Sequence, residues 1–462
     1  MNKSPTRREF IGSLLAASGG VLVSKSNALA APVGPSSPLP NPRFYWGVGI
    51  ENCWMAQTYP LLDGQRRLLD VFQQMGHYER WREDLDLTAA TGVNAIRYSV
   101  PWYKAEPQPG VYDWSWIDKP VEYLVSTLNI IPIMDLIHYG TPAWMPNGVL
   151  DPRFPESIAK YAGAMAAHFK GLINHYSPAN EPGLNCIFCG LIGRWPPYRH
   201  SVETWGRVGI QVAKSMVLET QAIRAAISDS VIVSVDPWFF EAVDGFLPKN
   251  PDPELRNAAA SFPASLAYGK VKAGHPFADF LVQQGNHPAE IAWFNNQTAK
   301  PDILGFNYYP DIHDFAKDGD FTRHGKVPLE QAAKEAADFT KKGIKAAQAY
   351  FNLPVYLSET SAGLTTPAKV AYINALYEMT KELRSEGVPL VGINWWPLYD
   401  TIQWDYREKF IKPAKDFVYP GGWNNGLCIT EAEPDGQFKR VWTPAADAYK
   451  AVIERDMKQM RK

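Results

Sequence analysis

Short apolar runs alternate with amphipathic segments along the chain from Phe44 onward. Apolar runs of about 4–8 residues between turn signals are typical of buried parallel strands, and apolar spacing with a period of about 3.6 is typical of helices. The runs predict strands over residues 44–50, 93–100, 130–138, 172–179, 231–235, 303–307, 354–357 and 390–395. The amphipathic segments predict helices over residues 77–91, 158–170, 205–226, 329–351 and 368–386.

The order of these elements predicts an α/β protein with a single (β/α)8 barrel, or TIM barrel, and elaborated βα loops. Strand and helix alternate throughout, and no repeat or low-complexity linker divides residues 44–462 into two domains. A doubly wound sheet with a second domain is the alternative. The first predicted strand is not followed by the glycine-rich turn that is typical of that fold, so the single barrel is favoured.

The region before the barrel has the features of an export signal and a linker. Residues 6–11 (Thr-Arg-Arg-Glu-Phe-Ile) resemble a twin-arginine motif, a weakly apolar stretch follows over residues 11–23, and Ala28-Leu29-Ala30 offers a small-residue cleavage site. The stretch is too short and too rich in Gly and Ser to span a bilayer as a stable helix. We therefore expect a signal peptide over residues 1–30, a proline-rich linker over residues 31–43 and a periplasmic or secreted protein with no integral membrane segment after cleavage.

The composition excludes some partners and leaves others open. A net charge of −2 and a pI of about 6.5 give no indication of a nucleic-acid surface or a polybasic membrane patch. Aromatic residues make up 13% of the chain, which suits clefts that bind sugar rings but is also found in large aromatic cores. Cys186-Ile-Phe-Cys189 alone is weak evidence for zinc, so a disulfide or two inert loop thiols are favoured and no metal is expected.

Polar side chains stand at the ends of several predicted strands. Glu181 follows the fourth strand and Glu359 the seventh, on the face where a (β/α)8 barrel carries its active site. Paired carboxylates suit the hydrolysis of a glycosidic bond, because one protonates the leaving oxygen while the other attacks the sugar carbon. Further polar and aromatic residues in or after the strands are Arg97, His138, Asn180, Asp236, Asn307, Tyr308, Tyr309, Trp395 and Trp396.

The ordered set of motifs resembles family 1 glycoside hydrolases of the β-glucosidase type. The likeness runs from Phe44 to the C-terminus and includes an opening strand Phe44-Tyr45-Trp46-Gly47 and a strand-two segment over residues 92–99. His138-Tyr139 stands where the family usually has His-Trp. The other matching segments are Asn180-Glu181-Pro182, Asn307-Tyr308-Tyr309, and Trp396 together with Gln403-Trp404.

The resemblance implies a retaining β-glycosidase that uses Glu181 as acid/base and Glu359 as nucleophile in a double displacement on a β-glucoside-like substrate, with no cofactor. Arg97 and Tyr309 would hold the charge of Glu359, and an apolar site and that charge would raise the pKa of Glu181. A cis peptide is expected at Trp396-Pro397, which would place the indole beneath the sugar ring. The substrate-binding residues implied are Arg97, His138, Asn180, Asn307, Tyr309, Trp396, Gln403 and Trp404.

Three segments depart from the family pattern. Ser358-Glu359-Thr360-Ser361 replaces the usual Thr-Glu-Asn-Gly, residues 51–54 (Glu-Asn-Cys-Trp) stand where the first strand normally delivers a glutamine, and Gln403 replaces a glutamate. These departures leave the catalytic pair unchanged and alter the outer sugar contacts. No phosphosugar motif follows Trp404. Aromatic residues that would either form an aglycone site or pack the loops are Trp195, Tyr198, Trp238, Phe239, Phe240 and Trp423.

Two other functions are compatible with the same residues. A transglycosidase would share every catalytic group, and a non-catalytic carbohydrate-binding barrel would bind without turnover. The presence of both glutamates together with Arg97 and Tyr309 favours an enzyme over a binding protein. The expected partner is a carbohydrate or glycoside, and the sequence does not indicate the oligomeric state.

Overall fold

Eight parallel strands form one sheet, as the apolar runs predict. The computed structural model describes residues 38–51, 54–56, 68–310, 327–362, 365–402, 424–434 and 437–460. The strands are β1 Tyr45–Ile50, β2 Ala95–Ser99, β3 Ile131–Asp135, β4 His175–Ser177, β5 Val231–Ile232, β6 Leu304–Asn307, β7 Val355–Thr360 and β8 Leu390–Trp395. Their order in the sheet is β5-β4-β3-β2-β1-β8-β7-β6, so neighbours along the chain are neighbours in space and β1 pairs with β8.

The two edge strands, β5 and β6, meet through single bridges instead of a regular ladder. Val233 bridges Ile303 and Asp236 bridges Phe306, both in parallel orientation. Regular pairing of β5 therefore ends at Ile232, three residues before the predicted end of this strand. The backbones approach closely at Gly305, where an added Cβ would lie 1.6 Å from the backbone oxygen of Ser234. These contacts complete the predicted (β/α)8 barrel.

Helices lie between the strands along the chain. The long helices are α1 His77–Ala90, α2 Phe154–His168, α3 Val202–Ala226, α4 Leu329–Phe351, α5 Thr366–Ser385 and α6 Pro444–Met460. Shorter helices span Val71–Gln74, Trp102–Ala105, Asp118–Glu122, Pro182–Asn185, Phe240–Asp244, Pro253–Ala260, Ala264–Ala267, Pro276–Gln283 and Pro288–Ala292. Two π-helical segments, Tyr123–Thr127 and Cys186–Leu191, and two 3₁₀ turns, Gly148–Leu150 and Trp293–Asn295, complete the helical structure of the described residues. The hairpins Trp54–Ala56 with Leu68–Asp70 and Ile429–Ala432 with Phe438–Val441 lie outside the barrel sheet.

Capping residues explain where the helices begin. The Ser201 side chain accepts a hydrogen bond from the Thr204 amide, so α3 starts before the apolar spacing that predicts it. The Thr365 side chain accepts from the Ala368 amide in the same way, and α5 has a proline in its first turn. Both helices therefore extend the predicted segments toward the N-terminus.

The barrel interior changes from apolar to polar along the strands. Tyr45, Ala95, Ile133, Val233 and Tyr356 form a buried apolar cluster that joins five different strands or their extensions. Further along β2 and β3, on the same faces, stand Arg97 and Asp135, because side chains two residues apart share a face of a strand. The apolar layer thus supports a polar layer at the carboxyl ends of the strands.

The structure tests some of the sequence-based expectations, whereas others concern residues outside the described ranges. The Trp396-Pro397 peptide is cis, as predicted. None of the helices in the described ranges is long and apolar enough to cross a membrane. Gln403, Trp404, Trp423 and the signal peptide expected over residues 1–30 all fall outside the described residues.

We predict that Gly305→Ala lowers the free energy of unfolding by about 2–3 kcal/mol, because the added methyl group forces β5 and β6 apart. Gly245→Ala is the matched control, since its Cβ would meet its nearest neighbour, the Ala242 backbone oxygen, at 3.4 Å, and its φ is −68°. Urea unfolding of both variants measures the difference. Equal free energies for the two variants would contradict the close approach at Gly305.

Candidate active site

Arg97 lies at the centre of the polar layer and is fully buried. Its Nη1 forms ion pairs with Glu359 and with Glu51, the latter at 3.1 Å, and its Nη2 lies 3.8 Å from Asp135 Oδ2. Nη2 also donates a hydrogen bond of 2.8 Å to Asn180 Oδ1. Burial opposes the charge, but the three carboxylates together raise the pKa of Arg97 above its ordinary value. The guanidinium therefore remains charged and neutralises part of the surrounding negative charge.

Glu359 is the carboxylate most directly stabilised as an anion. It stands in β7 and is 4% exposed. Arg97 donates to its Oε1, and the Tyr309 hydroxyl donates to its Oε2 at 2.7 Å. Both contacts expected from the sequence are present. A cation and a phenol directed at the two oxygens stabilise a negative charge on this group.

Glu181 has a different environment, with neutral hydrogen-bond donors. It is 7% exposed, and Asn307 Nδ2 donates to its Oε1 at 2.9 Å while the Tyr139 hydroxyl donates to its Oε2. Burial, and then repulsion by Glu359, raises the pKa of Glu181 to about 7, against the lowering effect of these hydrogen bonds. The group therefore carries a proton in a large share of molecules at neutral pH.

Asn307 connects Glu181 to strand β7. Besides donating to Glu181, it accepts a hydrogen bond of 2.7 Å from the Ser358 hydroxyl through Oδ1. It also lies opposite Glu359 in the pairing of β6 with β7. The Asn307 side chain thus binds the Glu181 carboxyl and links it to β7 through Ser358, the residue before Glu359.

Tyr139 is a site residue that the sequence analysis missed. The backbone of Tyr139 is left-handed, with φ of +77°, and so is that of its hydrogen-bond partner Glu181, with φ of +39°. Such backbone conformations are uncommon outside glycine and cluster at functional sites. The Tyr139 ring packs against Trp195 and His138 at centroid distances of 4.6 and 4.7 Å. The substitution of the usual Trp by Tyr139 was the available signal, but the contact with Glu181 depends on the fold of both loops.

His138 and Asn180 form a second chain of hydrogen bonds beside Glu181. His138 Nδ1 lies 2.7 Å from Asp135 Oδ2, and its Nε2 lies 3.2 Å from Asn180 Nδ2. The sequence predicts that the third strand ends at His138, and this boundary is wrong. β3 ends at Asp135, so His138 lies three residues beyond the strand. Asn180 and Arg97 are both fully buried, whereas His138 lines the cavity beside the glutamates.

Glu51 and Trp396 meet beside Arg97. An added Cβ at Gly49 would lie 2.6 Å from Glu51 Oε2 and 2.8 Å from Trp396 Cδ1, so the glycine leaves room for both side chains. Burial and repulsion by Glu359 and Asp135 raise the pKa of Glu51 well above its ordinary value, although Arg97 lowers it. Trp396 lines the cavity, with its ring 6.1 Å from that of Tyr309 and nearly perpendicular to it.

The remaining candidates separate into cavity-lining and packed residues. Trp238, Phe239 and Phe240 line a cavity of about 560 Å³ that also contains Glu181 and Glu359. Trp195 is 1% exposed and packs against Tyr139, so it belongs to the loop packing.

Cys186 and Cys189 are free and buried, which favours the loop-thiol alternative over a disulfide. Asp236 is also buried and accepts a hydrogen bond of 3.2 Å from the Gly183 amide.

Comparisons with known protein sequences relate the chain to β-glucosidases. A family model described as beta-galactosidase matches residues 71–176. The 1,4-beta-D-glucan glucohydrolase of Thermotoga neapolitana is 21% identical over 382 residues, which cover 72% of this chain and 84% of that protein. Beta-glucosidase A of Thermotoga maritima is 21% identical over 378 residues, which cover 72% of this chain and 80% of that protein.

Solved structures share the barrel. A beta-glucosidase from Thermotoga maritima in complex with glucoimidazole has a TM-score of 0.67 at 19% identity and covers 90% of this chain and 98% of its own. A family 1 b-glucosidase structure from the same organism has a TM-score of 0.64 at 18% identity, with coverage of 89% and 98%. The (β/α)8 prediction is confirmed. The β-glucosidase relatives support the resemblance to β-glucosidases, whereas the matching family model belongs to another family of the same clan as family 1.

We predict that Tyr139→Phe shifts the alkaline limb of kcat/KM for glycoside hydrolysis to higher pH by about one unit. The phenol stabilises the ionised form of Glu181, so its loss raises the pKa of Glu181 and keeps this carboxyl protonated at higher pH. A hydrogen bond to a charged group contributes about 1.5 kcal/mol. The measurement is a pH–rate profile with an aryl glycoside.

Tyr377→Phe is the control for this prediction. Tyr377 is buried, and its hydroxyl has no hydrogen-bond partner among the described residues. Its profile should match that of the wild type. An alkaline limb that is unchanged in Tyr139→Phe, or that moves to lower pH, would show that Tyr139 does not act through Glu181.

Proposed function

We propose that this chain is a retaining β-glycosidase that hydrolyses β-glucoside-like substrates by double displacement. The observation that carries the proposal is the contrast between two buried glutamates of one cluster. Glu359 is held as an anion by Arg97 and Tyr309, whereas burial and the Glu359 charge favour a proton on Glu181. A general acid and a nucleophile with these two protonation states are what a retaining mechanism requires. The β-glucosidase relatives support the same reaction class.

The first step forms a covalent glycosyl-enzyme. A carboxylate oxygen of Glu359 attacks the anomeric carbon while the bond from that carbon to the leaving oxygen breaks. The proton of Glu181 passes to the leaving oxygen, so the aglycone departs as a neutral alcohol. The sugar carbon thereby gains an ester bond to Glu359, and Glu181 becomes a carboxylate.

The second step returns the enzyme to its initial state. Glu181, now ionised, takes a proton from water, whose oxygen attacks the anomeric carbon and displaces the Glu359 carboxylate. Because the charge of Glu359 is absent in the intermediate, one cause of the raised pKa of Glu181 is removed while it acts as base. Neither step requires a metal or an organic cofactor.

We predict that Glu359→Ala loses almost all hydrolysis and that azide partly restores it with inverted product, because a small anion enters the space of the missing carboxylate. Glu181→Ala should lose about 10²–10⁴-fold on substrates whose leaving group needs a proton, with a smaller loss on activated aryl glycosides. Glu454→Ala, an exposed glutamate on α6, is the control and should keep full activity.

A 2-deoxy-2-fluoro glycoside with a good leaving group tests the same roles by mass spectrometry. The expected result is a stable adduct on Glu359. Reversible binding with no adduct would indicate a carbohydrate-binding barrel, and an adduct on another residue would overturn the assignment of the nucleophile.

We further propose that residues 1–30 direct export of the folded chain through the twin-arginine route. The basis is the order of the arginine pair, the weakly apolar stretch and the small-residue site in the sequence. Replacing Arg7 and Arg8 by lysine should retain the protein in the cytoplasm, as measured by cell fractionation and immunoblotting. Undiminished export of this variant would exclude the twin-arginine route.

A further inference from the structure

The cavity beside Glu181 and Glu359 continues away from the catalytic cluster as far as α4. Its lining includes Gly343 and Ala346, two small residues spaced three apart on that helix. Ala346 is exposed, so the cavity opens to the surface at this helix. An added Cβ at Gly343 would lie 2.7 Å from the Phe306 ring, which shows how closely the helix approaches β6. We refer to this outer part of the cavity as the α4 cleft.

The α4 cleft is lined mainly by apolar side chains. The principal ones are Leu184, Phe188, Trp238, Phe239, Phe240 and Phe306. The other lining residues with a polar side-chain atom, apart from those around the two glutamates, are Trp238, Tyr308 and Asn425, and the Asn425 amide already donates a hydrogen bond of 2.7 Å to the Ser361 hydroxyl. Sugar hydroxyls that entered here would lose water without gaining enough hydrogen-bond partners, whereas an aromatic or aliphatic group would bury apolar surface favourably.

The aromatic walls are held in place by contacts behind them. The Trp238 ring packs edge-on against Tyr350 and Phe351 of α4, at centroid distances of 5.4 and 6.1 Å, and lies 5.6 Å from the Phe240 ring. The Arg256 guanidinium lies over the Phe240 ring at 4.4 Å. A cleft whose walls are already positioned loses little conformational freedom when a ligand binds.

We propose that the α4 cleft binds the leaving group of the substrate and that this group is an apolar aglycone, such as a fused aromatic ring system, and not a second sugar. This inference rests on the proposed function, because the same cavity contains both catalytic glutamates at its inner end. The hydrolysis itself would be general to β-glycosides, and the cleft would select among leaving groups.

The test compares Ala346→Trp with Ala349→Trp on three substrates that share one sugar. The indole at position 346 would fill the cleft, whereas Ala349 is exposed on the same helix and does not line the cavity. The substrates are the β-glycosyl fluoride, the 2-naphthyl β-glycoside and the β-linked disaccharide, with glucose or galactose as the sugar, whichever fluoride is hydrolysed. The fluoride leaving group is a single atom and does not reach the cleft.

We expect the wild type to prefer the naphthyl glycoside to the disaccharide in kcat/KM. Ala346→Trp should lose about tenfold or more on the naphthyl glycoside and stay within about a factor of two of the wild type on the fluoride. Ala349→Trp should match the wild type on all three substrates. The ratio of naphthyl to fluoride kcat/KM is therefore the decisive quantity.

The other outcomes distinguish a failure of the proposed function from a failure of the aglycone inference. If neither fluoride is hydrolysed by the wild type, the proposed function fails. If a fluoride is hydrolysed but the disaccharide is preferred, or if both tryptophan variants lose the naphthyl glycoside equally, the proposed function stands and the aglycone inference is wrong.

Discussion

The buried ion pair between Arg97 and Glu359 is the interaction on which the rest of the site depends. The guanidinium contacts Glu51 after β1, Asp135 at the end of β3, Asn180 after β4 and Glu359 in β7. A planar group with five donors can satisfy several acceptors at once in a fixed geometry, which a lysine cannot do. Removal of one member of a buried ion pair typically costs about 3–5 kcal/mol, since a charge is left uncompensated. One side chain thus contacts residues at the carboxyl ends of four strands or their extensions.

The same arrangement makes two chemically identical residues unlike one another. Glu359 faces a cation and a phenol, whereas Glu181 faces only the neutral donors Asn307 and Tyr139. Both side chains are almost completely buried, so solvent screening does not remove the difference between their electrostatic environments. When two acidic groups share a low-dielectric site, the proton goes to the one without a cation. The position of Arg97, together with the burial of Glu181, therefore supports the proposed roles of Glu359 as nucleophile and Glu181 as acid.

The sequence predicts the barrel and the two glutamates proposed as catalytic because both depend on local pattern. Apolar runs mark the strands, and a polar residue that ends such a run falls on the carboxyl face of the sheet. What the sequence does not predict depends on distant segments. The hydrogen bond from Tyr139 to Glu181 joins two left-handed residues 42 positions apart, and the close approach of Gly305 to the Ser234 backbone joins residues from two different strand regions.

The aromatic residues illustrate the same limit. Trp195 and Trp238 each lie in a loop after a predicted strand. Only the fold distinguishes them: Trp195 is buried behind Tyr139, whereas Trp238 is half-buried and faces the cavity. An aromatic side chain packs as readily in a core as against a ligand, so composition and spacing alone cannot separate the two.

Glu51 belongs to the segment over residues 51–54 that stands where the resemblance leads one to expect a glutamine, and its environment limits the negative charge that it brings to the site. A third full negative charge beside Glu359 and Asp135 would compete for Arg97 and weaken the stabilisation of the Glu359 anion. Burial, together with repulsion by Glu359 and Asp135, instead raises the pKa of Glu51, so this carboxyl takes up a proton more readily than an exposed glutamate does. A protonated glutamic acid, like a glutamine, is uncharged and can both donate and accept a hydrogen bond. In that form Glu51 adds no negative charge beside Glu359 and competes less for the Arg97 guanidinium.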